Sequence, residues 1–292
     1  IREALKGSGA QLSFMVQHQP RGLAHAVQVA WDFLGQEPFV LYLGDNLLEN
    51  GIADFVARFD PGQMDALILL TRVSDPRRFG VAVLDGEQVV QVVEKPQVPP
   101  SQLAICGVYV FTPAVHQVIA TLKPSARGEL EITHAIAQLV EQRRVQAQEI
   151  TGWWKDTGLP LDLLEANQLV LDGIQRRIAG QVDEASQLTG RVAVEEGAEI
   201  VRSRVRGPAI IGAGAKVIDS YIGPYTAIGA GVVVEEAEVE YSIVDEGSQV
   251  VRPPMRIHES LLGRGVEISG VADLPLGHRL VLGDGSVVRL GK

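Results

Sequence analysis

The chain has a single cysteine, Cys106, among its 292 residues. One thiol permits no intrachain disulfide, and nothing else in the sequence points to an oxidising compartment. Positive charge is also scarce: 26 Lys and Arg stand against 36 Asp and Glu, a formal net charge of −10. That balance argues against nucleic acid and against an anionic membrane as partners, so a polyanionic substrate has to be met by local cations or a metal. No apolar run is long enough to span a bilayer and there is no signal peptide, which together lead to the expectation of a cytoplasmic protein. A starting methionine is missing too. The chain opens Ile1-Arg2-Glu3-Ala4-Leu5-Lys6, which reads as the end of a helix, so the first elements of the fold are expected to be absent from this fragment.

A hydrophobic fraction of 46% can bury a sizeable core, and the length suggests two domains. From Ile1 to about Ile178 strands and helices alternate, the pattern of an α/β sheet. Strands are expected at Leu12–Val16, Phe39–Leu43, Ala66–Thr71 and Leu103–Phe111. A hairpin is expected from Val81–Leu84 and Val89–Val93 around Asp85-Gly86. Helices are expected at Leu23–Leu34, Pro113–Leu122 and Glu129–Gln142, and a longer one at Leu159–Ile178 bridges to the second domain. Beyond about Arg191 the apolar period becomes six: Val205, Ile211 and Val217, then, after a five-residue step, Ile222, Ile228 and Val234. A ladder of aliphatics at that spacing fits a parallel β-helix, each short strand turning one side chain inward. It breaks at Arg252-Pro253-Pro254 and resumes at Leu262 and Ile268, ahead of a tail with a hairpin at Gly283-Asp284-Gly285. The expected division is 1–180 with the bridging helix, 190–270 for the β-helix, and 271–292 for the tail.

Chemistry concentrates in the first domain. Gly44-Asp45-Asn46 follows the apolar run Phe39–Leu43, which reads as a strand buried on both faces of a parallel sheet, and ligands of such sheets gather at the carboxyl ends of the strands. A carboxylate there can hold Mg²⁺ against substrate phosphates; a plain turn is the competing reading. In Gln17-His18-Gln19-Pro20-Arg21-Gly22-Leu23-Ala24 a loop enters a helix, so backbone amides can face an anion and a Gln amide can read a base edge. Glu94-Lys95-Pro96 is either an exposed ion pair or a phosphate-binding lysine beside a carboxylate that accepts from sugar hydroxyls. Glu129 and Glu131 precede a helix whose dipole alone would explain them. Asp156, in Trp153-Trp154-Lys155-Asp156-Thr157-Gly158, is either a second metal ligand or a helix cap.

Taken in order, these stretches resemble the sugar-1-phosphate nucleotidylyltransferases, and among them the long glucose-1-phosphate thymidylyltransferases. The resemblance runs from about Ser13 to about Asn167, through Gln17-x-x-Pro20-x-Gly22-Leu23-Ala24, Gly44-Asp45-Asn46, Phe79-Gly80-Val81, Glu94-Lys95-Pro96, Gly107-Val108-Tyr109, Lys123–Thr133 and Asp156-Thr157-Gly158. It implies an incomplete Rossmann-like α/β nucleotidyltransferase domain with a mixed sheet, followed by a left-handed parallel β-helix of hexapeptide repeats. It further implies that Gln17 recognises the base, with Gly22 letting the base approach the backbone. Asp45 and Asp156 would bind Mg²⁺, Gly80, Glu94 and Glu129 would line the hexose pocket, Lys95 would hold the sugar phosphate, and Tyr109 would border the sugar. The implied catalytic set is Asp45, Lys95 and Asp156; the implied substrates are a nucleoside triphosphate and a sugar-1-phosphate, and the implied assembly is a homo-oligomer, possibly a trimer through the β-helix. The glycine-rich loop with its Thr-Arg pair, which cradles the triphosphate in such enzymes, is not found ahead of Gln17, so this fragment alone is expected to be inactive. Two other functions compete with this one: a bifunctional UTP-dependent N-acetylglucosamine-1-phosphate uridylyltransferase with an acetyltransferase site, whose general base would be His258 or His278, and a non-catalytic sugar-nucleotide-binding regulatory subunit.

Overall fold

The computed structural model describes residues 5, 9–270 and 286–289. The helix end expected over residues 1–6, apart from Leu5, and the hairpin expected at Gly283–Gly285 lie outside them. Two compact units are formed, Ile1–Asp156 and Thr157–Lys292.

In the first unit the order is α1 (Leu23–Val29), α2 (Trp31–Leu34), β1 (Phe39–Tyr42), β2 (Asn46–Leu48), α3 (Ala53–Ala57), β3 (Ala66–Arg72), β4 (Gly80–Asp85), β5 (Gln88–Glu94), β6 (Leu103–Phe111), α4 (Ala114–Thr121), α5 (Ile132–Glu141), β7 (Val145–Glu149) and β8 (Trp154–Asp156). The main sheet runs β1-β6-β3-β7-β5-β4, with β4 also pairing to β6. It is mixed: β3 and β7 are parallel, whereas β6 is antiparallel to β1, β3 and β4. All nine residues of β6 are buried. Helices α4 and α5 lay Val115, Ile119, Ile136 and Leu139 on a core that includes Ile68, Leu70 and Phe111.

Four expectations need correcting. Among the described residues Phe39–Leu43 is not a doubly buried parallel strand: β1 stands at the edge of the sheet, antiparallel to β6. Its burial alternates, with Val40 and Tyr42 38% and 43% exposed, as an edge strand covered on one face requires. Leu12–Val16 is irregular rather than a strand, and Leu12, Phe14, Met15 and Val16 are exposed, so this apolar run adds nothing to the core. The helix expected over Leu23–Leu34 is two, because Ala30 at φ −88, ψ 0 ends one and opens the other. The bridging helix, α6, is shorter than expected: it spans Pro160–Asp172 and stops at Gly173, and Ile178 already lies in a solenoid strand. Compactness groups α6 with the second unit.

His116 of α4 is 2% exposed. It stacks on Trp31 at 4.6 Å and on Phe39 at 5.7 Å, and neither ring nitrogen has a hydrogen-bond partner among the described residues. Burial holds it below the ordinary histidine value of 6.5, so folding favours the neutral ring. The stability this represents is complete above 6.5 and is lost as pH falls below that value, because the unfolded chain takes up the proton first. His116→Leu is therefore expected to flatten the fall in Tm between about pH 6.5 and pH 5, read by thermal melts across that window.

In the second unit, short strands stack in parallel from Arg177–Ile178 to Glu267–Ser269 as a β-helix with three sheets of six, six and five strands. It thus begins ahead of the expected residue 190. Val205, Ile211, Val217, Ile222, Ile228 and Val234, the residues of the sequence ladder, are all at most 2% exposed and share one core. The five-residue step also has an explanation. Val194, Ile211 and Ile228 are partners in successive coils 17 residues apart, so each of these two coils has two six-residue edges and one short corner. That corner holds Arg202, Asp219 and Glu236 at φ +46, +48 and +47, where the chain reverses tightly. Ser203 accepts there from the backbone N–H of Ser220 (3.0 Å), and Ser220 from that of Ala237 (3.1 Å). Ser203→Ala strips the partner from a buried N–H, an expected loss of about 1–3 kcal/mol in urea unfolding. Arg252-Pro253-Pro254, expected to break the ladder, sits in a connection between coils, and stacking resumes at Ile257 opposite Val239.

Candidate active site

Chain reversal after β1 places Asp45 beside a second, two-stranded ladder. In it β2 pairs antiparallel with β8, so Asn46 lies opposite Asp156 and Leu48 opposite Trp154. Residues directly opposite share a face, which brings the Asp156 side chain next to that of Asn46. Asn46 is 5% exposed and its amide is anchored at both ends: Nδ2 donates to Asp45 Oδ1 (2.8 Å), and Oδ1 accepts from Trp154 Nε1 (2.7 Å). Its backbone carbonyl accepts from the Tyr42 hydroxyl (2.7 Å). Two carboxylates, far apart in sequence, thus flank one anchored amide. Gly107 makes the space: at φ +69 in the interior of β6, it has no Cβ to meet Leu43 Cδ1 at 2.9 Å and Asn46 Nδ2 at 3.0 Å. Among the described residues no group of three or more His, Cys, Asp or Glu is arranged to hold a metal. Two carboxylates are nonetheless, by the chemistry of their oxygens, the donor set that Mg²⁺ takes beside waters and phosphate.

A second cluster forms where β4 meets β5. Gly80 is paired with Glu94, and a Cβ at Gly80 would meet Thr133 Cγ2 at 2.7 Å and Glu94 Oε2 at 3.4 Å. Glu94 accepts from Thr133 Oγ1 (2.8 Å). Arg127 reaches Glu94 (3.4 Å), Glu129 (3.2 Å) and Glu131 (2.8 Å). Glu131, 5% exposed, also accepts from Ser125 Oγ (2.8 Å). It stands at the start of α5 yet its side chain makes no capping bond there, so helix capping does not account for it. Lys95 is exposed, in the left-handed region at φ +40, and its N–H bonds Phe79 O (3.0 Å). No ion pair joins it among the described residues. The ring of Phe79 meets Trp154 edge-on at 5.3 Å, tying this cluster to the first. Tyr109 lies in the sheet core, 4% exposed and stacked on Phe111 at 5.7 Å; burial, then the Glu94 charge, push its phenol up.

Gln17 sits beside the start of α1. Its Nε2 donates to Gly22 O (3.1 Å) and lies 2.8 Å from His25 Nδ1. The close approach that the structure shows at Gly22 is by the chain itself: a Cβ there would meet Leu130 O at 2.5 Å. Leu130 N bonds Arg21 O (2.7 Å) and Ala24 N bonds Leu130 O (3.0 Å), which fastens the Gln17 loop to the Glu129–Glu131 segment. Sequence reasoning gave no role to Asn46, Trp154, Arg127, Thr133 or His25. The only signal for Arg127 and Thr133 was that they fall inside the Lys123–Thr133 motif. His258, in the β-helix, has Nδ1 3.3 Å from Glu240, a carboxylate that Arg256 also holds at 2.8 Å; His278 lies outside the described residues.

The sequence pattern of the nucleotidyl transferase family matches residues 2–173. The chain belongs to that family. This nucleotidyltransferase is 49% identical over 282 residues to a glucose-1-phosphate thymidylyltransferase of Streptomyces griseus, covering 95% of this chain and 79% of the relative. It is 48% identical over 285 residues to the glucose-1-phosphate thymidylyltransferase of Streptomyces antibioticus, covering 97% and 80%. Among solved structures, a UDP-glucose pyrophosphorylase complexed with UDP-glucose aligns with a TM-score of 0.51 at 26% identity, over 56% of this chain and 69% of that one. The family match takes in α6 as well as the first unit.

Proposed function

We propose that the full-length protein transfers a thymidylyl group from dTTP to glucose-1-phosphate, giving dTDP-glucose and pyrophosphate, with Mg²⁺ held by Asp45 and Asp156. The observation that carries this reading is the Asn46 amide, anchored by Trp154, with a carboxylate on each side of it, in a chain 49% identical to a glucose-1-phosphate thymidylyltransferase. The sugar phosphate is already an anion, so no protein nucleophile and no proton abstraction are needed. One of its oxygens forms a bond to the α-phosphorus, and the bond from that phosphorus to the bridging oxygen breaks, its electron pair leaving with pyrophosphate. Mg²⁺ when bound neutralises phosphate charge in that displacement. The chain's own groups position and neutralise: Gln17 meets the base, Gly80, Glu94 and Glu129 meet the hexose bordered by Tyr109, and the Lys95 ammonium faces the sugar phosphate as a point charge. Glu94 and Glu129 are acceptors, suited to sugar hydroxyls, and the Arg127 that now spans them keeps the acids from repelling one another.

Residues 1–292 carry no glycine-rich loop with a Thr-Arg pair, and the same reading has them inactive by themselves. It also has the β-helix serving a homo-oligomer, a trimer in this reading, which a monomeric mass in light scattering would contradict. The function is tested on the full-length protein by pyrophosphate release from dTTP, UTP, ATP and GTP against several sugar-1-phosphates. Release with dTTP and glucose-1-phosphate, dependent on both, is the expected result; binding of nucleotide without release would point to a regulatory subunit instead.

A further inference from the structure

We infer that His25 decides which base polarity the enzyme accepts, by locking the Gln17 amide with its oxygen outward; this rests on the reading of Gln17 as the residue that meets the base. Gln17 alone has no fixed polarity, since a side-chain amide turned over exchanges a donor for an acceptor. Here its orientation is set by what faces it. The Gly22 carbonyl, 3.1 Å away, can only accept, so the atom opposite it is the amide nitrogen. That carbonyl is held in place: Gly22 is wedged against the Leu130 backbone, and hydrogen bonds from Leu130 to Arg21 and from Ala24 to Leu130 lie on either side. One hydrogen of the Gln17 NH₂ is thereby used. The other points to His25 Nδ1 at 2.8 Å. For that contact to be a hydrogen bond Nδ1 is bare and the ring carries its proton on Nε2. His25 sits on α1, whose Ala24 and Val27 are buried in the core, so its ring works from a rigid support.

With both hydrogens taken, Gln17 presents only Oε1. An acceptor matches a base whose ring nitrogen between two substituted carbons bears a hydrogen, as N3 does in thymine and uracil. Cytosine offers a bare N3 at that position, and two lone pairs would confront each other. Without His25 the second hydrogen is released, and the same amide can donate to cytosine N3. His25 is thus a positioning residue for base choice, acting through Gln17 and not on the reacting phosphates.

The test compares dTTP with 5-methyl-dCTP, two substrates that differ in the base only at N3 and the C4 substituent, as kcat/KM in the full-length enzyme with glucose-1-phosphate. His25→Leu is expected to lower the preference for dTTP about tenfold, the worth of one hydrogen bond, with KM for glucose-1-phosphate unchanged. His25→Gln, which offers an acceptor again, is expected to restore part of it. A His25→Leu enzyme with undiminished preference overturns the inference and leaves the proposed function standing. So does a wild-type enzyme that uses both nucleotides equally well. If no nucleotide is turned over, the proposed function fails, and the inference is decided separately by ¹⁵N NMR of the imidazole: an Nε2–H ring coupled through Nδ1 to the Gln17 amide supports it, and an Nδ1–H ring overturns it.

Discussion

Asp45→Asn is expected to lower kcat on the order of 10³-fold while leaving the melting curve in place. Asparagine has the size of aspartate and is as content in a turn, so the Leu43–Asn46 reversal survives. What is lost is charge. The neutral amide oxygen is a poor ligand for a hard cation, and with Oδ1 kept on the Asn46 Nδ2 donor that now bonds Asp45 Oδ1 at 2.8 Å, an NH₂ replaces the other carboxylate oxygen. Asp156→Asn should cost a similar factor, because the proposed function has both carboxylates hold one ion, and Asp156 lies opposite Asn46, the neighbour of Asp45. The double variant is expected to be little worse than either single one, as for residues that work as a unit. Steady-state kinetics over a Mg²⁺ titration would check this. A loss below tenfold, or an unchanged Mg²⁺ requirement, would remove Asp45 from the metal site.

Gly22→Ala is the largest expected effect on stability, about 3–5 kcal/mol. At φ +97, ψ 171 the backbone is in a region open only to glycine, and the added Cβ would lie 2.5 Å from Leu130 O. Neither neighbour can yield, since both are main chain and are bonded to each other's segments. Gly86→Ala is the control. It too has a positive φ, +62, but nothing lies within 4 Å of its Cβ position, so only the backbone cost of about 1 kcal/mol remains. Urea unfolding of the two variants should separate them widely; equal losses would mean that the approach of Leu130 to Gly22 is not what the glycine serves.

How much of this was legible in the sequence depends on where each signal resides. The β-helix was legible because its inward positions must all be aliphatic and recur at one spacing; Val205 through Val234 have no other reason to sit six apart. Even the five-residue step carried meaning, as the short corner between Val217 and Ile222. The strand at Phe39 was legible as a strand but not in its environment, because an unbroken apolar run does not tell how many neighbours it has. Leu12–Val16 failed for a related reason: composition alone does not place a partner beside it. Strands β7 and β8 went unnoticed, since Val145–Glu149 and Trp154–Asp156 carry too few apolar residues to stand out from loops. The charged ends of the proposed site, Asp45, Glu94, Lys95 and Asp156, could be named from their motifs. Their supports could not. Asn46, Trp154 and Thr133 act through one or two side-chain hydrogen bonds, to residues as far as 108 positions away, and one polar side chain leaves no periodic trace.

The central claim, attack by an oxygen of the sugar phosphate on the α-phosphorus of a nucleoside triphosphate, is tested most directly by following that oxygen. Glucose-1-phosphate labelled with ¹⁸O at its non-bridging phosphate oxygens is incubated with dTTP, Mg²⁺ and the full-length enzyme, and the products are weighed by mass spectrometry. The account predicts that all the label remains in dTDP-glucose, one atom of it as the new bridge, and that the pyrophosphate carries none. Label in pyrophosphate or in inorganic phosphate, or a sugar nucleotide that has lost it, would contradict the account.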